Sequence, residues 1–316
     1  MDVSRRKTRA AAISVISNAA LVFAKVAIGL VTGSVSVISE AIHSGIDLVA
    51  AVIALLAVRS ASKPADQGHA YGHGKVENLS GTIEAVLIFL AALWIIYEAV
   101  HKLVASTPVA MPGLGIAVMA ASALANYLVS RMLFRVGKEA DSIALQADAW
   151  HLRTDVWTSS GVMLGLAAIW LVRWLSPSVS IGWVDPLAAI AVSVLIIKAA
   201  WQLTRQSVRD VVDASLPEEE RRWIADHVRS IPGLYGFHAL RTRKAGSQRF
   251  VDLHIQVDRN ISVELSHKLA HEISDAIEAR FANASVTIHV EPCDRSCSPD
   301  CVEGCLIGLQ GQHPQA

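Results

Sequence analysis

Residues 143–174 read IALQADAWHLRTDVWTSSGVMLGLAAIWLVRW. A hydrocarbon core is crossed by a helix of about 20 mostly apolar residues, and this stretch is long and apolar enough to be one. Yet it places His151 four residues ahead of Asp155. A carboxylate near the bilayer centre costs on the order of 2.5–3.5 kcal/mol on insertion scales, and such residues mark functional sites. The same spacing recurs at residues 43–47, HSGID, inside a second apolar run. A base and an acid are thus placed twice where water is scarce.

Working outward from these two, six runs of spanning length fall at about Ala11–Val31, Val35–Val58, Leu79–Leu103, Val109–Leu133, Ile143–Trp174 and Trp183–Leu203. Hydrophobic residues make up 53% of the chain, charged residues 18%, and the mean hydropathy is +0.41. This is too apolar for an ordinary soluble domain. No early run carries a convincing cleavage site, so the first helix is expected to be retained. Arg5, Arg6, Lys7 and Arg9 precede that helix, Arg59, Lys63 and Lys75 follow the second, and Arg131, Arg135 and Lys138 follow the fourth. The opposite loops hold little more than Lys102 and Arg173. By the positive-inside rule both termini face the cytoplasm.

From about Arg205 the composition turns polar. Residues 217–231, PEEERRWIADHVRSI, begin with acids and space Trp223, Ile224, Val228 and Ile231 as an amphipathic helix. Residues 236–246 and 248–258 alternate like two strands around a Gly-Ser turn, 262–281 repeats the helical spacing, and 285–292 is a third strand. The order αββαβ predicts a small α+β domain. The domains expected are 1–208 in the membrane, 209–292 in the cytoplasm, and a cysteine-bearing tail at 293–316.

Residues four apart share a helix face, so His43 points with Asp47 and His151 with Asp155. Packed together, the two helices offer two imidazoles and two carboxylates, a set suited to a tetrahedral dication, zinc above all. Glu40 and Asp148 lie one turn from the motif histidines. The competing reading, a helix-packing hydrogen bond from His to Asp, accounts for one motif more easily than for two. The formal net charge is zero, with no basic stripe to argue for nucleic acid. No HExxH pentad supports a metalloprotease and no GxxxxGK[ST] loop supports ATP-driven transport. No enzyme activity and no organic cofactor are expected. A membrane metal sensor remains the rival from another class.

The stretches SEAIHSGID, HAYGHGKVENL, ADAWHLRTDVWTSSG, FHALRTR, DLHIQV and TIHVEP occur in this order over about residues 10–292. Together they resemble the cation diffusion facilitator family. The resemblance implies a six-helix membrane bundle with a ferredoxin-like, metallochaperone-like cytoplasmic domain, acting as a homodimeric metal–proton antiporter of a bacterial inner membrane. It implies a transport site at His43, Asp47, His151 and Asp155, whose His/Asp composition goes with zinc, while cobalt, iron, cadmium or manganese export is the broader alternative. It further implies a loop site at Asp66, His69 and His73. A cytoplasmic zinc site is implied at His238, His254, His267 and His289, with Glu291 where the better-known pattern has aspartate. Asp213 matches one partner of a charge pair with Lys75.

All four cysteines fall in CDRSCSPDCVEGC: Cys293, Cys297, Cys301 and Cys305. In a reducing cytosol disulfides are rare, and thiolates so closely spaced suggest zinc or copper(I). The even spacing departs from zinc-finger pairs.

Overall fold

The computed structural model describes residues 3–32, 35–105, 113–175, 183–293 and 305–306. The chain divides into two compact units, Met1–Val208 and Arg209–Ala316.

The first unit is helical. Its elements are α1 (Val3–Thr32), α2 (Val35–Ala61), α3 (Lys75–Ala105), α4 (Gly113–Glu139), α5 (Ile143–Leu175) and α6 (Val184–Val211). Among the described residues, three helices are long and apolar enough to cross a membrane: Val3–Val31, Ala41–Ala61 and Lys75–His101. Large apolar side chains on these helices point outward, among them Ile16, Phe23, Leu30, Leu90 and Trp94. A water-soluble unit rarely exposes so much apolar surface, whereas lipid accepts it.

Several helices run past the apolar stretch that announces them. α1 starts at Val3, α3 at Lys75, and α6 continues to Val211. Hydropathy marks the part of a helix that avoids water, while hydrogen bonding carries the helix on into charged turns. One such extension is used internally. Buried Lys7 of α1 pairs with buried Glu77 of α3, which also accepts a hydrogen bond from the Ser142 hydroxyl just before α5.

Helix α5 packs against α2, α3 and α4, and α2 packs against α1 and α3. The approach at Gly81 is close: a Cβ there would lie 2.9 Å from Ser207 Oγ on α6 and 3.3 Å from Ile143 Cγ1 on α5. The absent side chain is what lets three helices converge.

The second unit holds α7 (Glu218–Ser230), β1 (Gly236–Ala245), β2 (Gln248–Val257), α8 (Val263–Arg280) and β3 (Ala284–Pro292), with sheet order β1-β2-β3. β1 and β2 are antiparallel across a turn in which Gly246 has φ +59°, and β2 and β3 are parallel with α8 as their crossover. Parallel neighbours require such a crossover. Ile224 and Val228 on α7, and Leu269, Ile273 and Ile277 on α8, bury one stripe of each helix beside Val251, Leu253 and Ile255 of β2. The Ser262 hydroxyl caps α8 by accepting from the Leu265 N–H at 3.2 Å.

The chain after β3 returns to this unit. Cys305 bridges Gly236 in antiparallel fashion, the Leu306 N–H donates to the Tyr235 carbonyl at 2.9 Å, and the Leu306 side chain is buried in the core.

Candidate metal centres

In the helical unit, α2 and α5 bring the two His-x3-Asp motifs together. Ligand atoms of His43, Asp47 and Asp155 lie within 4.8 Å of one another. His151 Nε2 is 3.0 Å from Asp47 Oδ1. This contact runs between the motifs and joins α5 to α2. Two ligands held about 2.0–2.1 Å from a tetrahedral zinc are separated by little more than 3 Å, so these atoms would draw in from their present spacing to share an ion. Asp47 and His151 are buried, Asp155 is half-buried and His43 is exposed.

Polar atoms without a hydrogen bond among the described residues gather beside this cluster. They are His151 Nδ1, Asp155 Oδ2, both oxygens of Asp148 and Oε2 of Glu84. A buried polar atom left unpaired costs about 1–3 kcal/mol and commonly signals a missing water or ion. Asp148 was legible as a neighbour of His151, one turn away. Glu84 on α3 and Lys25 on α1 were missed, although each is a charged residue inside an apolar run. The Glu40 side chain lies outside the described residues.

The loop between α2 and α3 is organised by one carboxylate. Asp66 Oδ1 accepts from the Gly68 and His69 N–H groups at 2.9 and 2.8 Å, and Oδ2 is 2.9 Å from His73 Nε2. The His69 and His73 rings lie 4.3 Å apart, and Asp66, His69 and His73 offer three ligand atoms within 4.8 Å. The His69 N–H, then the His73 ring, hold the Asp66 carboxyl down from 3.8 to about 2. It is a carboxylate at any physiological pH, ready for a cation.

In the α+β unit, strand register builds the third cluster. His238, His254 and His289 are direct partners across β1, β2 and β3 and therefore share one face. Adjacent rings are 5.1 and 4.9 Å apart. Glu291, two residues beyond His289, faces the same way and reaches all three: 2.9 Å to His254 Nδ1, 3.3 Å to His238 Nε2 and 3.6 Å to His289 Nε2. The longer carboxylate therefore spans the row. A register shift after His238, with Ala239 at φ +51°, sets the imidazole at the strand's bend. His238 Nδ1 is buried and without a hydrogen-bond partner among the described residues. His238, His254 and Glu291 form the close group, and these donors fit a zinc ion. His267 lies on α8, exposed, with its ring 4.4 Å from that of His271.

The cysteines divide. Cys293 and Cys305 are partly exposed, and the Cys293 N–H donates to the Val257 carbonyl at 2.8 Å. Cys297 and Cys301 lie outside the described residues. Within the second unit, Asp213 Oδ1 lies 3.6 Å from Arg243 Nη1.

Comparison with known proteins assigns both units. Residues 11–212 match the cation efflux transmembrane domain, and residues 216–293 match the cytoplasmic domain of cation efflux proteins. An uncharacterized transporter of Synechocystis sp. is 38% identical over 263 residues, covering 83% of this chain and 83% of its own. The cation-efflux pump FieF of Citrobacter koseri is 31% identical over 291 residues, covering 92% and 94%. A solved chain of CzrB is 34% identical and covers 25% of this chain and 99% of its own, at a TM-score of 0.24. With helices built for a bilayer and matches across both units, this chain is an integral membrane metal-efflux transporter of the cation diffusion facilitator family.

Proposed function

We propose that this protein exports zinc in exchange for protons, with His43, Asp47, His151 and Asp155 as the ligands of the transported ion. The observation that carries this reading is the meeting of the two motifs: three ligand atoms within 4.8 Å and a fourth residue bonded to Asp47 at 3.0 Å. Two imidazoles suit a borderline ion better than a hard one. Asp47 and Asp155 match the two charges of the ion.

Exchange follows from the ligand types. Zinc needs neutral imidazole and ionised carboxylate, so protons and metal compete for the same atoms. A site opening alternately to each side releases protons when it loads zinc and loses zinc when it is reprotonated. Rocking of helices around a midplane site supplies the alternation. In this reading six helices cross the bacterial inner membrane, both termini are cytoplasmic, and two copies associate through the α+β unit. Zinc at His238, His254, His289 and Glu291 would stiffen that unit. Asp66, His69 and His73 would collect the ion at the cytoplasmic mouth, and the cysteine segment from 293 would hold soft metal.

The test is proton flux in vesicles containing the full chain, driven by a zinc gradient, with cobalt, iron, cadmium and manganese as competitors. Coupled flux that disappears in Asp155→Ala supports the reading. A chain that binds zinc but moves neither ion would be a sensor. Equal rates for several metals would favour a broad exporter, in keeping with relatives named simply as cation-efflux pumps.

A further inference from the structure

Lys25 stands seven residues before the end of α1, about 10 Å along its axis at 1.5 Å per residue. It is 4% exposed, in a helix otherwise apolar at this level. Its Nζ donates to Ser44 Oγ on α2 at 2.8 Å. Ser44 follows His43 and lies three residues before Asp47, so the bond ties Lys25 to the helix that carries half of the metal cluster. A protein cation is therefore tied to the turn of α2 that carries His43 and Asp47, two of the residues that would hold a metal cation.

An ammonium has three donors and no lone pair, so Lys25 is no metal ligand. A lysine that merely filled space would be replaced at lower cost by methionine, which carries no charge into the hydrocarbon zone. What the ammonium adds is a positive charge tied to Ser44, on the turn of α2 between His43 and Asp47. That charge has opposite consequences in the two states of the cluster. With no metal present, it offsets the carboxylates. With a dication present, it repels it.

We propose that Lys25 is a resident counter-ion of the transport site, stabilising the cluster between metal ions and weakening its hold on the ion it carries. A transporter needs such a device, because a site that binds too tightly does not release. The inference rests on reading His43, Asp47, His151 and Asp155 as the transport site.

The sign of the effect separates this role from a structural one. In Lys25→Met the positive charge is gone and the ligands remain. In full-length protein whose other candidate ligands are removed (His69→Ala, His73→Ala, His238→Ala, His254→Ala and all four cysteines to serine, in every arm), zinc binding should tighten by on the order of tenfold, since like charges close together in a poor dielectric repel strongly. In vesicles the zinc concentration giving half-maximal flux should fall, and the maximal rate should fall with it as release slows. Lys25→Arg keeps the charge and should retain wild-type affinity to within about twofold, the scatter expected of context alone. Lys25→Gln removes the charge but can still donate to Ser44; it should behave like Lys25→Met and serves if the methionine variant fails to insert. A site damaged by loss of packing would bind zinc more weakly, not more tightly.

Asp155→Asn is run in the same assays. If it binds zinc like the wild type, the cluster is not the site and the underlying reading fails. If it loses zinc while neutral variants at Lys25 bind equally or more weakly than the wild type, the counter-ion role alone is overturned.

Discussion

The helical and the α+β units each gather imidazoles around a carboxylate, but by opposite means. In the helical unit the ligands come from single turns of α2 and α5, and their relative placement depends on how two long helices pack. In the α+β unit His238, His254 and His289 come from adjacent strands whose register is fixed by backbone hydrogen bonds. Helices that rock can change the first arrangement, whereas a hydrogen-bonded sheet holds the second. Burial differs in the same sense: Asp47 and His151 are buried, while His254 is partly covered and His289 is open to water. A set carried on two helices could move with them, as transport would require, and a set held by strand register would suit a resident ion.

The largest effect expected of this contrast lies in the buried set. Alanine at Asp47, His151 or Asp155 should each lower zinc flux by at least about a hundredfold, the upper end of what even a supporting group costs a metal site. Membrane insertion should be preserved. Near-normal flux in any two would dissolve the distinction between the clusters. The exposed set should answer differently. His254→Ala with His289→Ala should leave flux within about threefold but remove zinc-dependent dimer stability, worth about 2.7 kcal/mol at a hundredfold excess over Kd. Sedimentation with and without chelator measures it, and dimerisation that ignores zinc in the wild type would strip these histidines of that role.

A smaller change is expected at the exposed corner of the buried cluster. His43→Asp replaces a borderline nitrogen with a hard oxygen and should admit manganese or cadmium more readily. Metal-competition profiles of flux read this directly, and an unchanged profile would place selectivity elsewhere.

The smallest effect belongs to the loop. The Asp66 carboxyl is lowered from 3.8 to about 2 in the fold, so its stabilising contribution is complete above about pH 4 and lost as pH falls through about 2. Asp66→Asn should therefore weaken the loop at neutral pH and lose its effect progressively as pH falls to about 2 and below, as followed by amide exchange at Gly68 and His69. Equal exchange in both proteins at neutral pH would mean the carboxylate does not organise the loop.

Much of this architecture was legible. Alternation in residues 248–258 marks β2, and the i, i+4 spacing of Leu269, Ile273 and Ile277 marks α8, because each buries one face only. The His-x3-Asp spacing likewise places both members of a motif on one face. What spacing cannot convey is which residues meet across helices, so the bond from His151 to Asp47 emerged only with packing. Lys25 and Glu84 escaped for a related reason. A lone charge in an apolar helix could face lipid headgroups, a cavity or a partner, and only the neighbouring helices decide. Lys7 and Glu77, separated by 70 residues, are paired by the same tertiary packing.

The return of residues 305–306 to β1 bears on how the cysteines can be studied. Cutting the chain after Pro292 removes the thiols, but it also removes Leu306, a core side chain, and bares the backbone of an edge strand at Gly236 and Tyr235. Unpaired strand edges invite association with other chains. Misassembly of a shortened protein would then imitate the loss of a metal-binding segment. Serine in place of each cysteine takes away the sulfur and leaves the clasp closed.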